Sequence, residues 1–281
     1  MKSIFSIDIV AQRKAELALA FAAVKARGTI PRLAAAFRTD DPAVASYVAA
    51  KRRHTEEVGG AFETLDLHDA HSGVAARMRA LCDRPDVHGV IVVMSSNPGA
   101  DEIDLPNLIP AHKDVDGLSA CNLGAMLQNG PAQRFIAPAT PQSCLLLAAS
   151  RTELKGKRVV VIGRGRTVGR PLANLLVSAG ATVTVCHSAT KDIPAISREA
   201  DVVFLATGQP RMFGREYFRA GQVIIDAGIG FIDGKLCGDA DFNALEGLDV
   251  EITPVPGGVG PLTSVLILEN LLKLVEIQGA A

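Results

Sequence analysis

Lys157-Arg158-Val159-Val160-Val161-Ile162-Gly163-Arg164-Gly165-Arg166-Thr167-Val168-Gly169-Arg170-Pro171-Leu172 carries the clearest architectural signal in the chain. A run of β-branched residues ends at a glycine, a glycine–arginine loop follows, and Leu172 to Val177 reads as helix. Strand, tight turn and helix start in that order make a phosphate-binding βα junction, because the turn leaves backbone N–H groups unpaired and the helix dipole favours an anion there. The common dinucleotide fingerprint is G-x-G-x-x-G; Gly163, Gly165 and Gly169 are spaced G-x-G-x-x-x-G, which points to a variant with its own geometry.

Outward from this stretch, the alternation of strand and helix continues. Thr182 to Cys186, Val202 to Ala206 and Gln222 to Asp226 read as strands, with a shorter helix between the last two, and Gln142 to Arg151 reads as a helix leading in. Upstream, Ile4 to Val10 is either a first strand or the lead into a helix over Ala11 to Arg27. Strands follow at Arg32 to Phe37, Ala61 to Leu67 and Gly89 to Met94. Helices are expected at Ala43 to Val58, with Thr39-Asp40-Asp41-Pro42 as its turn and start, and at Ser72 to Cys82. Ser95 to Gly99 reads as a loop at the carboxyl end of the third strand, and Ser264 to Gln278 as a terminal helix. The fold class is therefore α/β: two α/β domains around a cleft, the second a Rossmann-like parallel sheet. The expected division is 1–141 with a returning helix 264–281, and 142–263.

Composition narrows the function. A chain of 281 residues, 48% hydrophobic and 21% charged, is globular, and a net charge of -1 gives no case for nucleic acid or an anionic membrane. Five scattered cysteines without CxxC pairing suit reduced thiols in the cytoplasm, and neither they nor the six histidines cluster at metal-ligand spacing. No apolar run approaches the ~20 residues of a membrane span. No metal, nucleic-acid partner or membrane partner is expected.

Within the second unit, the strand ending Val185-Cys186-His187-Ser188 lacks the acid that would bind a ribose 2′-hydroxyl, while Arg164, Ser188 and Lys191 suit a 2′-phosphate. NADP is favoured over NAD, unless Arg164, Arg166 and Arg170 are merely solvated. In the first unit, Tyr47 and Lys51 lie one helical turn apart; spacing alone favours a lysine snorkelling past a half-buried tyrosine, and a cleft position would instead lower its pKa for proton transfer. Lys113-Asp114-Val115-Asp116-Gly117 reads as a surface loop or as a carboxylate that binds a donor-rich heterocycle. Pro256-Gly257-Gly258-Val259-Gly260-Pro261 suits a backbone passing close to a ligand, or a hinge between domains.

These stretches together resemble the methylenetetrahydrofolate dehydrogenase/methenyltetrahydrofolate cyclohydrolase family. The matching residues are Tyr47-Val48-x-x-Lys51, Lys113 to Gly117, Gly163-Arg164 with Val168 to Ala173, Thr182 to Ser188, Gly238-Asp239, and Thr253 to Pro261. The resemblance implies Lys51 as the catalytic lysine, with Tyr47 beside it in the folate pocket and Asp116 holding the pterin. It also implies that Val93, Gly257, Gly258 and Pro261 border the folate, and that Gly163, Arg164, Gly165, Gly169, Ser188 and Ile229 bind NADP. Members are usually homodimers, so a homodimer is expected. Three positions depart from the family pattern. Val93 stands where the family has a glutamine that partners the lysine, Ala139 interrupts a P-C-T-P motif, and Gly165 replaces a serine. A valine cannot hydrogen-bond an ammonium group. The expectation is an NADP-dependent dehydrogenase with a weakened or altered cyclohydrolase step; a different one-carbon pterin carrier and a non-catalytic binding paralogue are the alternatives.

Overall fold

The computed structural model describes residues 1–37, 42–67, 73–93, 104–128 and 135–279. In chain order its elements are β1 Lys2–Ser3, α1 Ile7–Ala26, β2 Arg32–Phe37, α2 Pro42–Glu57, β3 Ala61–Asp66, α3 Val74–Cys82 and β4 Gly89–Val93. There follow α4 Ala120–Leu127, α5 Ala139–Ala149, β5 Arg158–Ile162, α6 Gly169–Ser178, β6 Thr182–Cys186 and α7 Ile193–Glu199. The chain ends with β7 Val202–Leu205, β8 Val223–Asp226, β9 Gly230–Ile232, β10 Lys235–Cys237, β11 Glu251–Ile252 and α8 Val259–Gly279. The turn expected at Thr39 to Asp41, the helix start at Ser72, and the loop Ser95 to Gly99 lie outside the described residues.

The chain divides into two compact units, one of Met1–Val10 with Thr140–Thr263 and one of Ala11–Ala139 with Ser264–Ala281. The second holds a parallel sheet in the order β3-β2-β4. Its central strand reads Arg-Leu-Ala-Ala-Ala-Phe, and Leu33 to Ala36 are wholly buried. Covered on both faces, such a strand needs no polar alternation, and its alanines let helices approach closely. Met78 and Leu81 of α3 pack against Ala34, Ala36 and Val90 from one face. Each fully buried large apolar side chain contributes on the order of 1.5–3 kcal/mol.

The other unit holds a six-stranded sheet in the order β1-β11-β8-β7-β5-β6, with every pairing parallel. From β5 the chain crosses to β6 on one side and returns to β7 on the other. That reversal puts a crevice at the carboxyl ends of β5 and β7, where ligands of such sheets bind. A core of Val160, Ile162, Val203, Leu205, Ile224 and Ile252 backs it.

Three expectations need correction. Residues 1–10 belong to this sheet-bearing unit and not to the first domain, because Lys2 and Ser3 add a parallel edge strand to β11 and the Ile4 N–H donates to the Ile252 carbonyl at 2.8 Å. The terminal helix starts at Val259 rather than Ser264, so Gly260 and Pro261 sit in its first turn; proline is tolerated there because first-turn N–H groups have no partner within the helix. The helix expected from Gln142 begins at Ala139. Strand β11, the β9–β10 hairpin, α4 and α7 had no counterpart in the sequence reading.

Candidate active site

At the nucleotide crevice, the Gly163 N–H donates to the Cys186 carbonyl at 2.9 Å, which brings the ends of β5 and β6 side by side. Arg164 and Ser188 each lie two residues beyond those strand ends, and both are exposed. The Ser188 turn is tied by the Thr190 N–H to the His187 carbonyl at 2.7 Å and by the His187 N–H to Thr190 Oγ1 at 3.0 Å. Gly163 has φ +118°, and a Cβ there would lie 2.2 Å from the Ala206 carbonyl oxygen; one on Gly169 would lie 2.2 Å from the Gly163 carbonyl oxygen. At Gly165 a Cβ would meet nothing within 4 Å. Two of the three glycines are thus required by the backbone, which explains the odd spacing. Helix α6 starts with no side chain capping it; the Arg170 N–H donates to the Gly165 carbonyl at 3.1 Å, and Pro171 has no N–H to satisfy. Ile229, on the loop after β8, is 61% exposed.

Behind this crevice lies a carboxylate pair, Asp226 and Asp239, whose role no sequence pattern displays. Asp239, wholly buried, accepts through Oδ2 from the Thr207 N–H (2.6 Å), the Thr207 hydroxyl (2.8 Å) and the Gly208 N–H (3.2 Å). Asp226 accepts from the N–H groups of Gly228 (2.9 Å), Asp239 (3.1 Å) and Ala240 (2.9 Å). The pair staples the loops after β7 and β8, which shape the crevice. Burial pushes Asp226 up to about 6, against the pull of those N–H groups. Gly-Asp in a loop after an edge strand carries no periodic signal, so only the fold reveals this role.

The other unit carries the titratable site. Lys51 lies on α2 with 3% exposure, and its Nζ donates to Ser264 Oγ at 2.9 Å. The same Nζ sits 4.6 Å from the centre of the Tyr47 ring, a cation–π contact across one helical turn. Tyr47 is 37% exposed. Burial lowers the Lys51 pKa to about 8, against the opposing charge of Asp116. The helical pair is therefore a buried lysine under a half-open tyrosine, not a snorkelling surface lysine.

Asp116 sits in a turn fastened to the edge of β4, where the Val115 N–H donates to the Val90 carbonyl at 3.4 Å. Burial raises the Asp116 pKa to about 7; the Asp114 charge adds to this, while Lys51 and the Ala139 N–H oppose it. Asp114 is the frame of the turn. Its carboxylate accepts from the N–H groups of Gly117 (2.9 Å) and Ser119 (2.8 Å) and from the Asn122 side chain (3.0 Å). Helix α8 supports the same turn through the Asn270 amide, which donates to the Val115 carbonyl at 2.8 Å. Val93, the last residue of β4, is 9% exposed and pairs in register with Phe37.

Structure thus brings Tyr47, Lys51 and Asp116 together on one unit, and Gly163, Arg164, Gly165, Gly169 and Ser188 together on the other. Gly257, Gly258 and Pro261 belong to the nucleotide-binding unit. There Gly257 has φ +110°, and its carbonyl accepts from the Ser6 N–H and hydroxyl, both at 3.1 Å. Ser264 and Asn270, which hold the lysine and the aspartate turn, escaped the sequence reading because both sit on an apolar helix remote in sequence from their partners.

Comparison with known proteins accounts for both units. The profile described as tetrahydrofolate dehydrogenase/cyclohydrolase, catalytic domain, matches residues 6–116, and that of the same family's NAD(P)-binding domain matches residues 138–279. A bifunctional protein FolD from Albidiferax ferrireducens is 39% identical over 274 residues, covering 96% of this chain and 94% of that one. The structure is similar to the bifunctional 5,10-methylenetetrahydrofolate dehydrogenase/cyclohydrolase of Thermoplasma acidophilum, with a TM-score of 0.88, 33% identity and 100% of both chains covered. It is also similar to the methylenetetrahydrofolate dehydrogenase-cyclohydrolase of Trypanosoma brucei solved with NADP cofactor and inhibitor, at 0.89 and 32% identity over 99% of this chain and 98% of that one. Matched in order along both of its units, the chain belongs to the tetrahydrofolate dehydrogenase/cyclohydrolase family.

Proposed function

We propose that the chain oxidises 5,10-methylenetetrahydrofolate to 5,10-methenyltetrahydrofolate with NADP, and hydrolyses the product to 10-formyltetrahydrofolate. The observation that carries this reading is the buried Lys51 beside Asp116, two groups that burial brings close to neutral titration. Asp116 would hold the donor-rich pterin edge through its carboxylate. Lys51, part amine near neutral pH, would take a proton from water adding to the methenyl carbon and return one to the departing ring nitrogen. Tyr47, exposed above the ammonium, would line the folate pocket.

NADP fits the crevice of the other unit: Gly163 and Gly169 leave backbone where a Cβ would clash, and Arg164 and Ser188 stand at the acid-free strand end. When bound, it supplies the hydride acceptor. The chain's own work is alignment: the turn from Gly163 to Gly169 would let the diphosphate approach the backbone, and Arg164 and Ser188 would hold the 2′-phosphate. Val93 in place of the family glutamine makes the hydrolytic step the more sensitive of the two. We take the protein to act in the cytoplasm as a homodimer, as members of the family usually do; sedimentation of the purified chain checks the second point.

The test is absorbance of methenyltetrahydrofolate formed from the methylene compound with NADP or NAD, followed by decay of added methenyl substrate. Formation with NADP at a higher kcat/KM than with NAD, and decay above the non-enzymic rate, are expected. No methenyl formation with either cofactor overturns the reading.

A further inference from the structure

Lys51 has lost the glutamine partner that its family resemblance leads one to expect, yet it is not left alone. Its Nζ donates to Ser264 Oγ at 2.9 Å, and the two groups are 3% and 9% exposed. A buried ammonium without an acceptor would lose both its hydration and its orientation. Valine offers no acceptor at position 93, and Ser264 supplies one from a different element, the second turn of α8.

We propose that Ser264 is the positioning residue of Lys51 in this chain, taking from α8 the role that a side chain at position 93 cannot fill. This rests on the proposed folate activity for its meaning, though not for its test. A hydroxyl suits the task chemically. It accepts from the ammonium and, after rotation, donates to the free amine, so the partnership survives each proton transfer at Nζ. The position is also fixed relative to the second reacting group. The same helix presents Asn270 to the Val115 carbonyl at 2.8 Å and to the Ala137 carbonyl at 3.3 Å, bracketing the turn that carries Asp116. Helix α8 therefore sets both Lys51 and the Asp116 turn from one rigid element. Among the described residues, the other groups that act on Lys51 are the Tyr47 ring on its own helix and the charge of Asp116 on that turn.

The experiment titrates Lys51 Nζ by ¹⁵N NMR in the full, ligand-free chain, with Lys51→Met assigning the signal, in wild type, Ser264→Ala and Ser264→Thr. Removing the hydroxyl takes an acceptor from the ammonium, so the midpoint in Ser264→Ala falls and its Nζ protons exchange faster, while Ser264→Thr keeps the wild-type midpoint. Loss of a hydrogen bond to a charged group corresponds to roughly tenfold or more in rate. Hydrolysis of methenyltetrahydrofolate by Ser264→Ala is expected to lose about that much in kcat with a smaller change in KM, and Ser264→Thr to recover it. A Lys51 midpoint unchanged in Ser264→Ala overturns the proposal, as does a folded Ser264→Thr that titrates like Ser264→Ala. A wild-type chain that shows the Lys51–Ser264 coupling but forms no methenyl product overturns the folate reading and leaves the pairing standing.

Discussion

Replacing Gly163 and Gly165 by alanine, one at a time, separates backbone demand from composition within a single motif. Gly163 has φ +118°, a region that costs a residue with a Cβ about 1–3 kcal/mol. Its Cβ would stand 2.2 Å from the Ala206 carbonyl oxygen, while ordinary contact begins at 3.4 Å, so the ends of β5 and β7 would have to part by about 1.2 Å. Overpacking of that kind costs about 1–3 kcal/mol more. Gly163→Ala should therefore lose about 4 kcal/mol, on the order of 10 °C in Tm for a unit of this size. At Gly165 the φ is not in the left-handed region and a Cβ meets nothing within 4 Å, so Gly165→Ala should stay within about 0.5 kcal/mol of the wild type.

The two variants should differ as sharply in cofactor binding. Parting the strand ends displaces the turn that would hold the diphosphate, and NADPH affinity should fall at least about tenfold in Gly163→Ala. Gly165→Ala keeps its N–H and should bind within about threefold of the wild type. Calorimetry and a fluorescence titration with NADPH measure both. A Gly165→Ala variant as destabilised as Gly163→Ala, or a Gly163→Ala variant melting within about 1 °C of wild type, refutes the reasoning.

Asp114→Ala should cost about 3 kcal/mol in urea unfolding, because it strands the N–H groups of Gly117 and Ser119 and the Asn122 amide, while Asp116→Asn should not lower stability, should raise it above neutral pH, and should raise KM for folate at least about tenfold. Equal destabilisation by the two would show that the carboxylates are not sorted as described. Stability should rise with pH between about 8 and 10.5, where the unfolded chain holds the Lys51 proton and the folded chain does not, by about 3 kcal/mol over that window. The raised Asp116 has the opposite sign, giving stability that is full below its unfolded pKa of 3.8 and lost as pH rises through about 7. Lys51→Met should abolish the alkaline rise, and a parallel rise in that variant would remove Lys51 as its cause. Asp239→Ala should weaken NADPH binding about tenfold or more by freeing the Thr207 and Gly208 donors; unchanged affinity in a folded variant would refute the stapling role.

Periodic features were legible in the sequence. β2 to β8 and most helices could be read from apolar runs and glycine stops, because strand and helix each impose a period that a single sequence displays. Two-residue β11 has no period to display; it exists because β1 and β8 supply partners on both sides. The same fact moved residues 1–10 out of the first unit, since an edge strand owes its place to a partner some 250 residues away. The start of α8 was misplaced for another reason. Gly-Gly-Val-Gly-Pro reads as turn chemistry, but proline in a first helical turn gives up no hydrogen bond, and the helix runs back to Val259.

Asp114 and Asp116 show where reading a site from sequence stops and why. They are two residues apart in one turn, and nothing in their spacing says which is structural. The hydrogen bonds decide. Asp114 is filled by three donors from its own turn and from α4, so it has little acceptor capacity left for a ligand. Asp116 has the Ala139 N–H and the charge of Lys51 against burial and the repulsion of Asp114, a balance that donors from a bound ring would relieve. The frame residue thus also tunes the reactive one, because its fixed charge raises the proton affinity of its neighbour. Lys51 obeys the same logic from the other side, since the acceptor that orients it lies 213 residues away on α8. That helix, apolar along most of its length, reads from sequence as packing alone; Ser264 and Asn270 make it the element on which the lysine and the aspartate turn are both set.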